Sequence, residues 1–65
     1  MEAKEKRYSV SLVYVKKTSN GTEIDLRVLI TYANNKEEAL GKTIIHYKNI
    51  AKSYNLSNQV IIELN

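Results

Sequence analysis

The chain has no cysteine, proline, tryptophan or phenylalanine, and holds one histidine and two glycines in 65 residues. Without cysteine there is neither a disulfide framework nor a thiolate metal site. A domain near the size at which a single core is barely sufficient must therefore be held by packing or by association. His46 is the sole histidine, so there is one obvious general base and no histidine cluster for a metal. No apolar run reaches the length of a membrane span, and the charged stretch Met1-Glu2-Ala3-Lys4-Glu5-Lys6-Arg7 is not followed by the apolar segment of a secretory leader. The expectation is a soluble cytoplasmic protein with a flexible charged tail over residues 1–6 and one domain over residues 7–65.

What the chain does have is alternation. From Tyr8 to Lys17 the even positions Tyr8, Val10, Leu12 and Tyr14 are large and apolar, with Ser9 and Ser11 between them, which is the pattern of a half-buried strand. From Thr22 to Tyr32 the even positions Ile24, Leu26, Val28, Ile30 and Tyr32 repeat it, with Glu23, Asp25, Arg27 and Thr31 between. If one core takes both apolar rows, even positions must lie opposite even positions. A two-residue loop at Asn20-Gly21 puts the rows on opposite faces. A three-residue loop of Ser19, Asn20 and Gly21, with Gly21 at positive φ in a bulge, pairs Thr18 with Thr22 and keeps the rows together. The expected neighbours are then Tyr8 with Tyr32, Val10 with Ile30, Leu12 with Val28 and Tyr14 with Leu26.

Asn35 followed by Glu37 and Glu38 has the form of a capped helix start, and the spacing predicts one helix from Lys36 to Tyr54. Leu40, Ile44, Tyr47, Ala51 and Tyr54 make its apolar stripe, widened by Thr43 and Ile50. Asn55 is a candidate left-handed cap, with Leu56 folding back beyond it. Gln59 to Leu64 is a third strand, with Val60, Ile62 and Leu64 on its expected core face. A strand, a helix and a strand in succession require a crossover. Placing the last strand antiparallel beside the first gives the order 2-1-3. The predicted fold is thus α+β, ββαβ, a three-stranded antiparallel sheet with one helix on its even face. The string Glu37-Glu38-Ala39-Leu40-Gly41-Lys42 after a hairpin resembles a pattern of small bacterial and phage proteins. It covers about a turn and a half of helix, and no activity and no family follow from it.

The candidate chemistry is thin. His46 lies beside Ile50 on a flank of the stripe, with no serine or carboxylate at a spacing that forces contact, so its expected role is structural. Glu37 and Glu38 point to different sides of the helix start and serve its electrostatics. There is no cofactor motif, and Gly41 has no phosphate-loop pattern around it. The net charge of +3 comes from ten Lys and Arg against seven Asp and Glu. On the outer side of the helix Lys48 and Lys52, with Lys42 further round, make a basic strip. It supports an alternative reading as a nucleic-acid binding module. All five tyrosines fall on faces assigned to the core, so none serves as a base-stacking platform.

Surfaces carry more. With even rows inward, Val13, Leu29 and Ile61 form an apolar patch on the open sheet face. The last strand has only Glu63 to guard its edge. Ile45 points away from the core, and the interior glycine at Gly41 costs roughly 1 kcal/mol against alanine without a packing reason. The expected function is a small non-enzymatic protein-interaction module, a modulator or inhibitor of phage or mobile-element type. It is expected to form a homodimer, either edge to edge at the strand around Ile61 or face to face.

Overall fold

The computed structural model describes residues 5–56 and 58–64. It contains β1 (Lys6–Thr18), β2 (Gly21–Ala33), α1 (Lys36–His46), α2 (Lys48–Ser53) and β3 (Asn58–Leu64). The sheet is antiparallel in the order β2-β1-β3, the order that the crossover argument favours. Of the expected tail, residues 1–4 lie outside the described residues. Glu5 reaches Lys42 at 3.5 Å and Lys6 is the first residue of β1.

The hairpin register differs from the expected one. Thr18 pairs with Gly21 and Lys17 with Thr22, leaving Ser19 and Asn20 as a two-residue turn. Gly21 has the expected positive φ, at 127°, but as the first residue of β2 and not as a bulge. The primed turns that suit a two-residue hairpin need positive φ within the turn, and neither Ser19 nor Asn20 has it. The left-handed step is moved onto the one residue without a Cβ. Thr18 holds the turn from the side: its hydroxyl donates to the Gly21 carbonyl at 3.2 Å and accepts from the Asn20 N–H at 3.3 Å.

This register sets even positions of β1 opposite odd positions of β2: Tyr8 faces Thr31, Val10 faces Leu29, Leu12 faces Arg27 and Tyr14 faces Asp25. On the other side of β1, Val10 pairs with Ile61 and Ser9 with Ile62. The helix-side face is therefore built from the even row of β1 and the odd rows of β2 and β3. The expected core rows Ile24 to Tyr32 in β2 and Val60, Ile62 and Leu64 in β3 lie on the opposite face. The parity argument assumed that one core takes every apolar row, and the tight turn overrides it.

The core is small. Tyr8, Val10, Leu12, Tyr14, Ala33 and Ala39 are buried, and Leu40, Tyr47, Leu56 and Ile61 pack partly against them. Thr43 is buried in the helix and satisfies its hydroxyl on the Ala39 carbonyl at 2.8 Å. The helix start is as expected: the Asn35 side chain accepts from the Glu38 N–H at 2.8 Å, with Glu37 and Glu38 in the first turn.

The single helix from Lys36 to Tyr54 is not observed. It breaks at Tyr47, where φ is −106° and ψ is 37°. The Tyr47 carbonyl then accepts from Ile50 and Ala51, both at 3.0 Å, and starts α2. The bend allows the Tyr47 hydroxyl to donate to the Val28 carbonyl on β2 at 2.9 Å. Asn55 is not a left-handed cap, since no non-glycine residue among those described has positive φ; the helix ends at Tyr54 in extended backbone. The Tyr54 ring instead stacks on Tyr14, centroids 4.8 Å apart, and ties the helix end to the hairpin.

Candidate interaction face

β1 and β2 are 13 residues long and β3 has seven. β3 pairs with β1 over Arg7 to Val13, so the hairpin tip runs beyond it and the molecule measures 54 × 21 × 14 Å. Both helices lie on one face. The opposite face carries Arg7, Ser9, Ser11, Val13, Val15 and Lys17 from β1. It carries Thr22, Ile24, Leu26, Val28, Ile30 and Tyr32 from β2, and Asn58, Val60, Ile62 and Leu64 from β3. Among the described residues no acidic side chain belongs to it. Nine large apolar side chains are exposed among the described residues, and Ile45 is the only one of them off this face. The other eight, from Val28 at 43 % to Ile24 at 75 %, are on it. Four large apolar side chains, Tyr8, Val10, Leu12 and Tyr14, are buried in the core. Leu40, Tyr47, Leu56 and Ile61 pack partly against them, so the open face holds as many large apolar side chains as this core, and a contiguous exposed patch of that kind is rare on a monomeric soluble domain.

The relief of this face follows from the pairing. Ser11 lies between Val28 and Val60, and Ser9 lies between Ile30 and Ile62. Ser9 and Ser11 thus make a short trough between two aliphatic ridges, and Val13 and Val15 fill the central strand beyond it. Arg7 stands at one end of β1 and Lys17 at the other.

The outer edge of β2 is closed by side chains. Arg27 donates to the Leu26 carbonyl at 2.9 Å, Tyr47 to Val28 at 2.9 Å and Lys42 to Tyr32 at 2.6 Å. These partners occupy three of the acceptors that an added strand would use. On β3 the flank holds Gln59, Ile61 and Glu63, with Glu63 3.8 Å from Lys6.

The positions singled out in the sequence are dispersed. Val13 is on the open face, but Leu29 and Ile61 are half-buried on the helix side, so the three do not form one patch. Tyr32, expected in the core, is 57 % exposed on the open face. Ile45 is exposed, and a Cβ at Gly41 meets nothing within 4 Å, so no close approach within the chain explains that glycine. Lys42 is drawn away from the basic strip by Glu5 and Glu38, each 3.5 Å from its ammonium, and by the Tyr32 carbonyl. Lys48 and Lys52 are exposed on α2. His46 is exposed and meets the Tyr47 ring edge-on at 4.6 Å. Among the described residues no three His, Cys, Asp or Glu side chains are grouped to hold a metal, and no helix is long and apolar enough to cross a membrane. An open groove beside the start of α1 is lined by Lys6, Tyr8, Asn34, Asn35, Lys36 and Glu37.

No family model matches the chain, no curated protein is similar to it, and no solved structure matches its fold.

One polar cluster under the hairpin titrates. The Tyr14 hydroxyl donates to Asp25 Oδ2 at 3.2 Å, and Asp25 Oδ1 accepts from the Leu26 N–H at 2.9 Å and from Arg27 at 3.3 Å. The Leu26 N–H first, and the Arg27 charge after it, hold the Asp25 carboxyl below its ordinary value against the opposing effect of burial. Burial raises the Tyr14 phenol above its own. A carboxylate whose pKa is depressed on folding stabilises the folded state above its ordinary pKa, and that contribution is lost as pH falls through the depressed value. Asp25→Asn is therefore expected to be less stable than wild type at about pH 6, with the difference vanishing toward about pH 2. Urea denaturation across that window checks it, and a gap that stays constant to the acid end would refute the assignment.

Proposed function

We propose that this chain is a small non-enzymatic, self-associating interaction protein of modulator or inhibitor type, and that the uncovered face of its sheet is the surface through which it associates. The observation that carries this reading is the contiguous row of exposed Val, Ile, Leu and Tyr side chains opposite the helices. Burying apolar surface contributes roughly 25 cal/mol per Å², so a face of this kind is a standing source of association free energy. The cytoplasm of a bacterium is the proposed setting, with a phage or other mobile element as source. Its support is the small size of the domain.

In extracts of cells producing the full chain, size-exclusion chromatography is expected to place it in an assembly larger than its 7.5 kDa mass. The double substitution Val28→Lys with Ile30→Lys is expected to return it to the monomer position. Elution of wild type as a free monomer in such extracts would sink the reading. The nucleic-acid alternative retains Lys48 and Lys52 but has lost Lys42 to its carboxylate and carbonyl partners. Retention on DNA at roughly 0.15 M salt that Lys48→Glu abolishes would reverse the ranking.

A further inference from the structure

We infer that the occupant of the uncovered sheet face is a second copy of this chain, packed face to face so that the β2 ridge of each copy lies in the β1 trough of the other. This rests on the reading that the face is an interaction surface, and it names the partner.

Area is the first argument. Two strands of 13 residues at about 3.3 Å per residue, with a shorter third strand beside them, give a footprint on the order of 500 Å². Accessible area over such rough side chains is larger than the footprint, and specific interfaces begin at roughly 600 Å² per partner. The second argument is shape. Val28 and Ile30 stand beside Ser11 and Ser9, which are their cross-strand neighbours. A two-fold axis running along the strands between β1 and β2 brings the ridge of one copy over the trough of its mate, and by symmetry the reverse. Sheets stacked this way sit about 10 Å apart with strands inclined near 30°, and both helical layers remain outside.

The third argument is what the monomer lacks. Its buried core has four large apolar side chains and two alanines, and a second layer over the sheet supplies the missing half. Edge pairing leaves this face open, so it does not answer the same need, and the outer edge of β2 is occupied by Arg27, Tyr47 and Lys42. Arg7 and Lys17 mark the ends of the face, where long side chains reach water past a packed centre. The Lys17 ammonium of each copy then approaches that of the other at one end of the dimer, which gives the association a sign: salt should tighten it. An acidic protein, a nucleic acid or an anionic membrane on the same face would be released by salt.

The purified full chain is expected to sediment at twice its mass at about 10 μM, a range typical of specific association, and to dissociate less at about 0.5 M salt than at about 0.05 M. Ile30→Lys should raise the dissociation constant by more than about a hundredfold, whereas Ile45→Lys on the outer side of α1 should leave it unchanged. Should Ile30→Lys fail to fold, isotope-filtered NOEs in a half-labelled wild-type sample decide. Contacts from Val28 and Ile30 methyls of one copy to Ser9 and Ser11 of the other are expected. Contacts between copies confined to Gln59, Ile61 and Glu63, an unaltered dimer in Ile30→Lys, or weakening by salt would each overturn the proposal. So would a purified chain that is monomeric at about 100 μM, or one that instead sediments with phosphatidylserine vesicles. A purified monomer beside a larger assembly in cell extracts overturns the second copy alone; monomer in both overturns the functional reading too.

Discussion

Leu12→Ala is expected to unfold the isolated chain. Leu12 is fully buried on the central strand, and its cross-strand neighbours on that face are Arg27 and Gln59. Neither neighbour can collapse into a cavity without burying a polar end, so little of the lost volume is recovered. Large-to-small substitutions at such sites cost about 2–5 kcal/mol, and a domain of this size has roughly 3–5 kcal/mol from its core in total. The far-ultraviolet circular dichroism of the variant at a few micromolar should therefore lose both strand and helix signal. If a second copy completes the core, raising the protein concentration recovers part of the signal by mass action. A loss below about 1 kcal/mol in urea denaturation would show that the even row of β1 is not the core.

That row was legible in the sequence because alternation on the central strand has one solution: Tyr8, Val10, Leu12 and Tyr14 are buried as their spacing requires. The sheet order was legible too, since an antiparallel last strand after a crossover helix must lie beside β1. The face of the other two strands was not. Parity says which residues of a strand share a face, and only the turn says which face that is. A single core for all apolar rows requires the three-residue loop, whereas the two-residue turn at Ser19-Asn20 turns the even row of β2 to the other face, and the pairing of β3 with β1 puts its even row there too. Leu29 and Ile61 were placed outside, whereas Ile30 and Ile62 are.

A signal for the correct register was present. Even-row apolar residues on both outer strands, set against serines at Ser9 and Ser11 on the centre, describe a second apolar layer as readily as a first. The break at Tyr47 left no such trace. It depends on where the Val28 carbonyl lies on a different element, and helix periodicity carries no information about that distance. A charge scan across adjacent positions separates the two registers. Ile61→Lys now strikes the monomer's packing, whereas Ile62→Lys strikes only the open face.

Gly21→Val is expected to cost about 1–3 kcal/mol, although Gly21 is exposed. The Gly21 φ of 127° lies where L-residues are strained, yet a Cβ there meets nothing within 4 Å. The cost is therefore backbone strain alone, and a β-branched side chain stands at its upper end. Asn20→Ala is the matched control. Asn20 is exposed and uses its backbone N–H, which alanine keeps, to bond Thr18, so its cost should stay within about 0.5 kcal/mol. Urea midpoints at constant slope measure both. Chirality supplies the sharper comparison, because a D-residue favours positive φ while filling the same space. Chemically synthesised chain with D-alanine at position 21 should match or exceed wild type, gaining up to about 1 kcal/mol from a less flexible unfolded state, whereas L-alanine should fall below it. Equal stability of the two alanine forms would mean that this turn does not need its left-handed step. The tight hairpin, and with it the assignment of Ile24 through Tyr32 to the open face, would then lose its local support.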